Sequence, residues 1–156
     1  MSKFGTTFTP KVYIASSEDG FDTKKEVVEF VDTILKNEIS IDVGPHSKYP
    51  VDSVTYASMV AELVLEDKRH CGILISENAN DMAIMANRFR GIRAVIVTND
   101  MAAKYSKEVL DSNIFCLNFT TDIKLIEKWL LTKYIPNEKH IRTNYLMDSL
   151  RPVNCL

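Results

Sequence analysis

Three short stretches gather side chains that could act on a small polar molecule: Ser16-Ser17-Glu18-Asp19-Gly20, Ser76-Glu77-Asn78-Ala79-Asn80-Asp81 and Thr98-Asn99-Asp100. Each directly follows an apolar run: Val12-Tyr13-Ile14-Ala15, Gly72-Ile73-Leu74-Ile75 and Ala94-Val95-Ile96-Val97. Hydroxyls, carboxamides and carboxylates so placed can bind or deprotonate a ligand. They can equally cap the helix that follows, since Ser, Thr, Asn and Asp accept from its first N–H groups and acids favour the positive end of its dipole. Capping accounts for any one of these residues, but less well for Glu18, Asp19, Glu77 and Asp81 on one rim, where like charges raise one another's pKa values. A divalent cation or a carboxylate base would explain that group; a solvated acidic mouth explains it without chemistry and is the preferred reading. No metal site is assigned. Glycine is scarce at all three corners, so neither a dinucleotide fingerprint nor a P-loop is present and no cofactor is expected.

The elements that must position these corners alternate. After the strand Val12 to Ala15, the segment Asp22 to about Asn37 reads as helix, with Val27, Phe30, Val31, Ile34 and Leu35 at the helical period and Thr23 with Glu26 at capping-box spacing. A strand at Ile39 to Val43 closes on Gly44-Pro45, a polar loop runs to Asp52, and a helix spans about Val54 to Asp67. Gly72 to Ile75 is apolar without alternation, which suits a strand covered on both faces. Then come the helical stripe Met82, Met85, Ala86, Phe89, the strand Ala94 to Val97, a helix over Ala102 to Leu110, the strand Ile114 to Leu117, and the stripe Ile123, Ile126, Trp129, Leu130. Five such units joined by right-handed crossovers predict an α/β fold: a Rossmann-like three-layer αβα sandwich on a five-stranded parallel sheet. Ligands in such sheets bind beyond the carboxyl ends of the strands, where all three corners fall. Residues 137–156, with Lys139, His140, Arg142 and Arg151, are too polar for core and are expected as a C-terminal arm on the domain or on a neighbouring subunit.

Composition agrees with one domain over 1–156. The 156 residues are 46% hydrophobic and 26% charged, enough for a single core. A net charge of −2 gives no surplus cation to grip a phosphodiester backbone, so nucleic acid is not an expected partner. No run reaches the length of a membrane span and Met1 to Pro10 has no apolar targeting core, so the expectation is a cytoplasmic protein with no membrane partner. Cys71, Cys116 and Cys155 lack disulfide or zinc spacing and read as reduced thiols, the first two as core.

Several stretches carry a family resemblance: Val12 to Phe21 with Gly20-Phe21 before Lys24-Lys25; Val51 to Val64, within which Ala57 to Val64 reads Ala-Ser-Met-Val-Ala-Glu-Leu-Val; Gly72 to Ile75; Met82 to Ala94, ending in Ala86-Asn87-Arg88-Phe89-Arg90-Gly91-Ile92-Arg93-Ala94; and the Asn113 region. Over most of its length the chain resembles ribose-5-phosphate isomerase B and the galactose-6-phosphate isomerase subunits. The resemblance implies a compact five-stranded sandwich, a dimer whose active sites draw on both subunits, and aldose–ketose isomerisation of a sugar phosphate through an enediolate.

Carried over residue by residue, the resemblance brings substitutions. The family's catalytic cysteine falls on Ser76, its aspartate–histidine pair on Ser17 and Glu18, and its glycine-rich loop mostly on Glu77, Asn78, Ala79, Asn80 and Asp81. The ring-opening histidine aligns with Thr98, or with Asn99 if one residue is deleted. Of the phosphate-binding arginines, Thr120 takes the first place, and His140 and Arg142, with Lys139, resemble the tail motif. This places Ser76, Glu18, Glu77, Thr98 and Asn99 at catalytic positions and Ser16, Ser17, Asn78, Asp81, His140 and Arg142 at substrate-binding ones. A serine needs an adjacent base to match a cysteine thiolate, and no histidine is placed to serve Ser76. Acids where N–H donors gather oppose a developing oxyanion. The expectation is a divergent family member with reduced or lost activity, able to bind a small sugar phosphate. It would form a homodimer, a dimer of dimers, or a hetero-oligomer with an intact relative. Two alternatives stay open: an active isomerase using Glu18 or Glu77 as base, and a non-catalytic metal-binding or structural module.

Overall fold

The computed structural model describes residues 9–36, 39–49 and 52–149. Five parallel strands, β1 (Lys11–Ser16), β2 (Ile39–Gly44), β3 (Cys71–Ile75), β4 (Ala94–Ile96) and β5 (Ile114–Leu117), lie in the order β2-β1-β3-β5-β4. From β1 the chain steps outward to β2 and then back across to β3, so the sheet changes direction between β1 and β3, the point beyond whose carboxyl ends ligands of such sheets bind. All five residues of β3 are buried, as its unbroken apolar run requires, whereas β4 is a three-residue edge with Ile96 40% exposed.

Alternating strand residues feed two cores. Val12, Ile14, Ile73, Ile75, Phe115 and Leu117 meet helices α1 (Phe21–Ile34), α4 (Asp100–Glu108) and α5 (Lys124–Leu131) on one face. Tyr13, Ala15, Leu74, Ile114 and Cys116 meet α2 (Ser53–Leu65) and α3 (Asn80–Ala86) on the other. The three-layer sandwich is the one the periodicities predict. Cys71 and Cys116 are buried in the core, and Cys155 lies outside the described residues. Among the described residues no helix is long and apolar enough to cross a membrane.

Several boundaries differ from expectation. The capping box at Thr23 and Glu26 does not form: α1 starts earlier, with Gly20 at its N-cap and no side-chain cap. A Cβ on Gly20 would stand 3.0 Å from Ser16 Cβ and 3.1 Å from the Ile75 carbonyl, so close strand–helix packing sets the start. The stripe through Phe89 outlasts its helix, because Arg88 and Phe89 donate to Met85 and Ala86 in tight turns after α3. The polar segment after Pro136 is ordered as a sixth helix, α6 (Glu138–Ser149), with Asn144 its buried residue. It lies on its own domain: Asp148 takes both its carboxylate oxygens to Arg93 at 3.0 Å, and Arg90 Nε donates to the Asp148 carbonyl at 2.6 Å.

Candidate functional site

Ser76 is the first residue beyond β3 and Ser17 the first beyond β1; the ladder pairs Ser16 with Ile75, so the next step sets Ser17 beside Ser76. The Ser17 N–H donates to the Ile75 carbonyl at 2.8 Å, and the Ser76 N–H to the Leu117 carbonyl at 3.2 Å. Both side chains follow the α2/α3 face by strand alternation. Ser16, one residue earlier, points to the α1 face and packs against Gly20. Among the described residues the Ser16 and Ser17 hydroxyls have no hydrogen-bond partner.

Ser76 is 2% exposed and donates from Oγ to Asp81 Oδ1 at 2.8 Å. Asp81 also accepts from Ser53 Oγ at 2.7 Å and from the Met82 N–H at 2.8 Å. Burial works to raise the Asp81 carboxyl, but these hydrogen bonds from Ser53, Ser76 and Met82 outweigh it and hold the group below its ordinary value. The expectation of acids raising one another on this rim is therefore corrected for Asp81, which turns into the fold and is satisfied by hydroxyls and an amide. Ser53, at the start of α2 and 28 residues from Asp81 in the chain, joins the site unannounced by the sequence.

The loop between Ser76 and α3 keeps a backbone shape that suits glycine. Ala79 adopts φ 64°, left-handed, at a cost of about 1–2 kcal/mol for an L-residue. Asn78 Oδ1 accepts from the Asn80 N–H at 2.8 Å. Two amides that could serve a ligand anion, those of Asn80 and Met82, are thus held by the Asn78 and Asp81 side chains. Glu77 and Asn78 are exposed and Glu18 is half-buried. Among the described residues no three His, Cys, Asp or Glu side chains come together as metal ligands.

The remaining candidates stand apart. Asn99 Oδ1 accepts from the Ala102 N–H at 2.8 Å and caps α4, the structural alternative that the sequence offered; Thr98 beside it is exposed. Both follow β4, two strands from β3, or about 10 Å at ordinary strand spacing. Thr120 is turned onto Asn118 Oδ1 at 2.8 Å. His140 binds the Ile135 carbonyl and Asn137 at 2.8 and 3.0 Å, and Arg142 is exposed one helical step along. Helix α6 is anchored on Arg93, which precedes β4, so His140 and Arg142 lie at the amino end of the sheet, opposite Ser76 in the same chain. His70 also precedes its strand; Lys11 N–H donates to its Nδ1 at 3.1 Å and burial lowers its pKa, leaving a neutral imidazole far from the mouth. Cys116, on the strand next to β3, offers no thiolate, because burial and then the Asp81 charge push its pKa far up.

This geometry accompanies similarity along most of the chain. The ribose/galactose isomerase family pattern matches residues 12–145. A protein of Rickettsia conorii bearing a sugar phosphate isomerase name is 33% identical over 131 residues, covering 81% of this chain and 90% of that protein. Ribose-5-phosphate isomerase B of Escherichia coli is 29% identical over 129 residues, covering 80% and 85%. The type B ribose 5-phosphate isomerase of Trypanosoma brucei superposes with a TM-score of 0.85 at 29% identity, covering 90% of this chain and 98% of that one.

Proposed function

Because this chain belongs to the ribose/galactose isomerase family of sugar-phosphate isomerases, we propose that it binds a sugar phosphate with aldose–ketose isomerisation much reduced or lost, serving as a binding or partner subunit. One observation carries this reading: the hydroxyl at the cysteine's place is committed to Asp81, whose carboxylate also holds a loop amide. A carboxylate held low by three donors is a weak base, and it faces the developing oxyanion with charge of the wrong sign. Purified protein should convert ribose 5-phosphate ~100-fold to ~10,000-fold more slowly than a cysteine-bearing relative, the usual cost of a missing positioned base. Turnover within tenfold of that relative overturns the reading.

A second reading rests on Glu18 and Glu77, which directly follow β1 and β3 with Glu77 exposed and Glu18 half-buried: an isomerase that uses one of them as a carboxylate base. In that case native turnover is robust and Glu18→Gln or Glu77→Gln abolishes it, with Ser76→Ala nearly silent. We also read the protein as a homodimer or dimer of dimers, or as one half of a hetero-oligomer with an intact relative. Its support is the position of His140 and Arg142, which can meet only another subunit's mouth, and the exposed Ile141, Tyr145, Leu146 and Met147 along α6. Light scattering at micromolar concentration should give twice or four times the chain mass, and a clean monomer overturns it. A cytoplasmic location belongs to the same proposal.

A further inference from the structure

Five loops leave the sheet at its carboxyl end, over residues 17–20, 45–52, 76–79, 97–99 and 118–123. Only the loop after β2 carries basic side chains, His46 and Lys48, whereas Glu18 and Asp19 follow β1, Glu77 follows β3 and Asp122 follows β5. Asp52, at the far end of the β2 loop, is taken up in capping α2. Of the three histidines, His46 alone stands at this end of the sheet. The exit from β2 is held from inside the fold. Lys24 of α1 is fully buried and donates to Asp42 Oδ1 at 2.6 Å and to the Pro45 carbonyl, with its Nζ 5.4 Å from the centre of the Phe21 ring. The same Asp42 oxygen accepts from the Gly44 N–H at 2.9 Å, and a Cβ on Gly44 would stand 2.7 Å from the Tyr56 ring. A charge so far from water is tolerated only where its partners are fixed, so the turn cannot shift without leaving the ammonium unpaired. Further along the loop, Lys48 donates to Asp22 at 2.6 Å in the first turn of α1. The ladder pairs Ala15 with Gly44, so the loop starts next to Ser16 and Ser17 and lies along the start of α1.

From this arrangement we propose that His46 is a ligand-binding residue of the mouth, gripping with Lys48 the phosphate end of a sugar phosphate, and that Lys24 is the residue that positions it. The inference rests on the sugar-phosphate reading above and names where this chain holds the anion. β2 lies two strands from β3, about 10 Å at ordinary spacing. That is too far for His46 to serve the Ser76 hydroxyl as a base, but within the span of an extended five-carbon sugar phosphate whose carbonyl end lies at Ser76. Charge fixes the orientation. The β1 and β3 corners present carboxylates, which repel a phosphate, and the β2 loop presents the cations that attract it. An imidazole has an N–H to donate to a phosphate oxygen in either tautomer. The Lys48 and Asp22 side chains are 62% and 66% exposed, so their pair contributes little and an incoming phosphate can draw Lys48 away.

Ribose 5-phosphate, inorganic phosphate and ribose are the probes, titrated into the full-length protein and followed by backbone-amide and histidine-ring NMR. Ribose 5-phosphate should bind with a Kd of about 1 mM or tighter and move the His46 ring signals and the Ser47 and Lys48 amides. Inorganic phosphate should move the same signals, and ribose should leave them in place. His46→Gln should weaken ribose 5-phosphate binding ~10-fold, the worth of one hydrogen bond to a charged group. Lys24→Met, of similar length, should weaken it at least as much at a temperature where the variant is folded, and should shift the amides of residues 44–48 before any ligand is added. If ribose 5-phosphate binds but leaves His46 silent, or binds His46→Gln with native affinity, the inference is overturned while the sugar-phosphate reading stands. No saturable binding of ribose 5-phosphate overturns both. Native affinity in folded Lys24→Met overturns the positioning role, and if that variant unfolds, Asp42→Asn, which keeps the shape and weakens the clamp, decides in the same way.

Discussion

The two ends of the sheet are built on different principles. At the amino end, Arg93, Asn113 and His70 directly precede their strands, and each ties backbone to side chain across long sequence separations: Arg93 to the Leu110 and Asp111 carbonyls, Asn113 to Gly91 and Arg93, His70 to Lys11; the Arg93 guanidinium also pairs with the Asp148 carboxylate. At the carboxyl end Ser76 and Ser53 bind Asp81, and the fully buried Lys24 of α1 pairs with Asp42 of β2 at 2.6 Å and donates to the Pro45 carbonyl, while the Ser16 and Ser17 hydroxyls are unmatched among the described residues. Even the acids titrate in opposite senses. Asp81 is held low by donated hydrogen bonds, whereas burial, reinforced by Asp148, raises Asp111 over the opposing pull of Arg93 and Lys107. The difference teaches that the ties at Arg93 and Lys24 do not run through the Ser76 loop, so residues at Ser76 and its loop can be exchanged without endangering the sandwich.

If that contrast holds, Arg93 at the amino end outweighs the Ser76 loop in stability. Arg93→Ala removes ion pairs to half-exposed Asp111 and Asp148 and several carbonyl contacts. Because both acids keep solvent, the expected loss is ~2–3 kcal/mol, below that of a fully buried pair. Melting should fall by about 5–10 °C in a domain of this size. A loss no greater than that of Ser76→Ala breaks the contrast.

The mouth is the smaller effect and carries a pH signature. Asp81→Asn should cost ~1–2 kcal/mol at pH 7, since it weakens hydrogen bonds from Ser53, Ser76 and the Met82 amide. The folded pKa lies below the unfolded value near ~3.9, so the ionised group's contribution is full above pH ~5 and drains away as pH falls through the lowered folded value. Urea titrations of both proteins at pH 7 and pH 3 should therefore show the gap closing in acid. A gap that persists at pH 3 assigns the loss to shape alone.

The smallest effect has the opposite sign. Ala79→Gly relieves the left-handed backbone at φ 64° and should gain up to about 1 kcal/mol, less the extra freedom glycine has when unfolded. It should leave turnover unchanged, because the Asn80 and Met82 amides stay occupied by Asn78 and Asp81. Improved turnover from this variant alone would mean that loop shape, and not the side chains filling it, limits the mouth.

How much of this was readable from residues alone varies by element. The β3 run is apolar without alternation, which suits a strand covered on both sides, and it is wholly buried. Asn99 as a helix cap was legible because capping is decided within three residues. The failures are non-local. Thr23 and Glu26 have the spacing of a cap, yet packing of Gly20 against Ser16 and Ile75 starts the helix earlier. Ser53 reaches Asp81 across 28 residues, and nothing in either local sequence announces the contact. Helix α6 reads as a polar arm because its docking is by Asn144 and Asp148 and not by an apolar stripe.

The short outer strand has a consequence for behaviour at high concentration. Open sheets recruit one another through their borders, where unpaired N–H and C=O groups wait for a new strand. On one side of this sheet that border is β4, only Ala94 to Ile96. A rung of three residues offers too little pairing to template a fibril, even with Ile96 turned partly to solvent. The brevity of β4 therefore works as protection against runaway sheet growth, a safeguard separate from anything the protein does to a ligand.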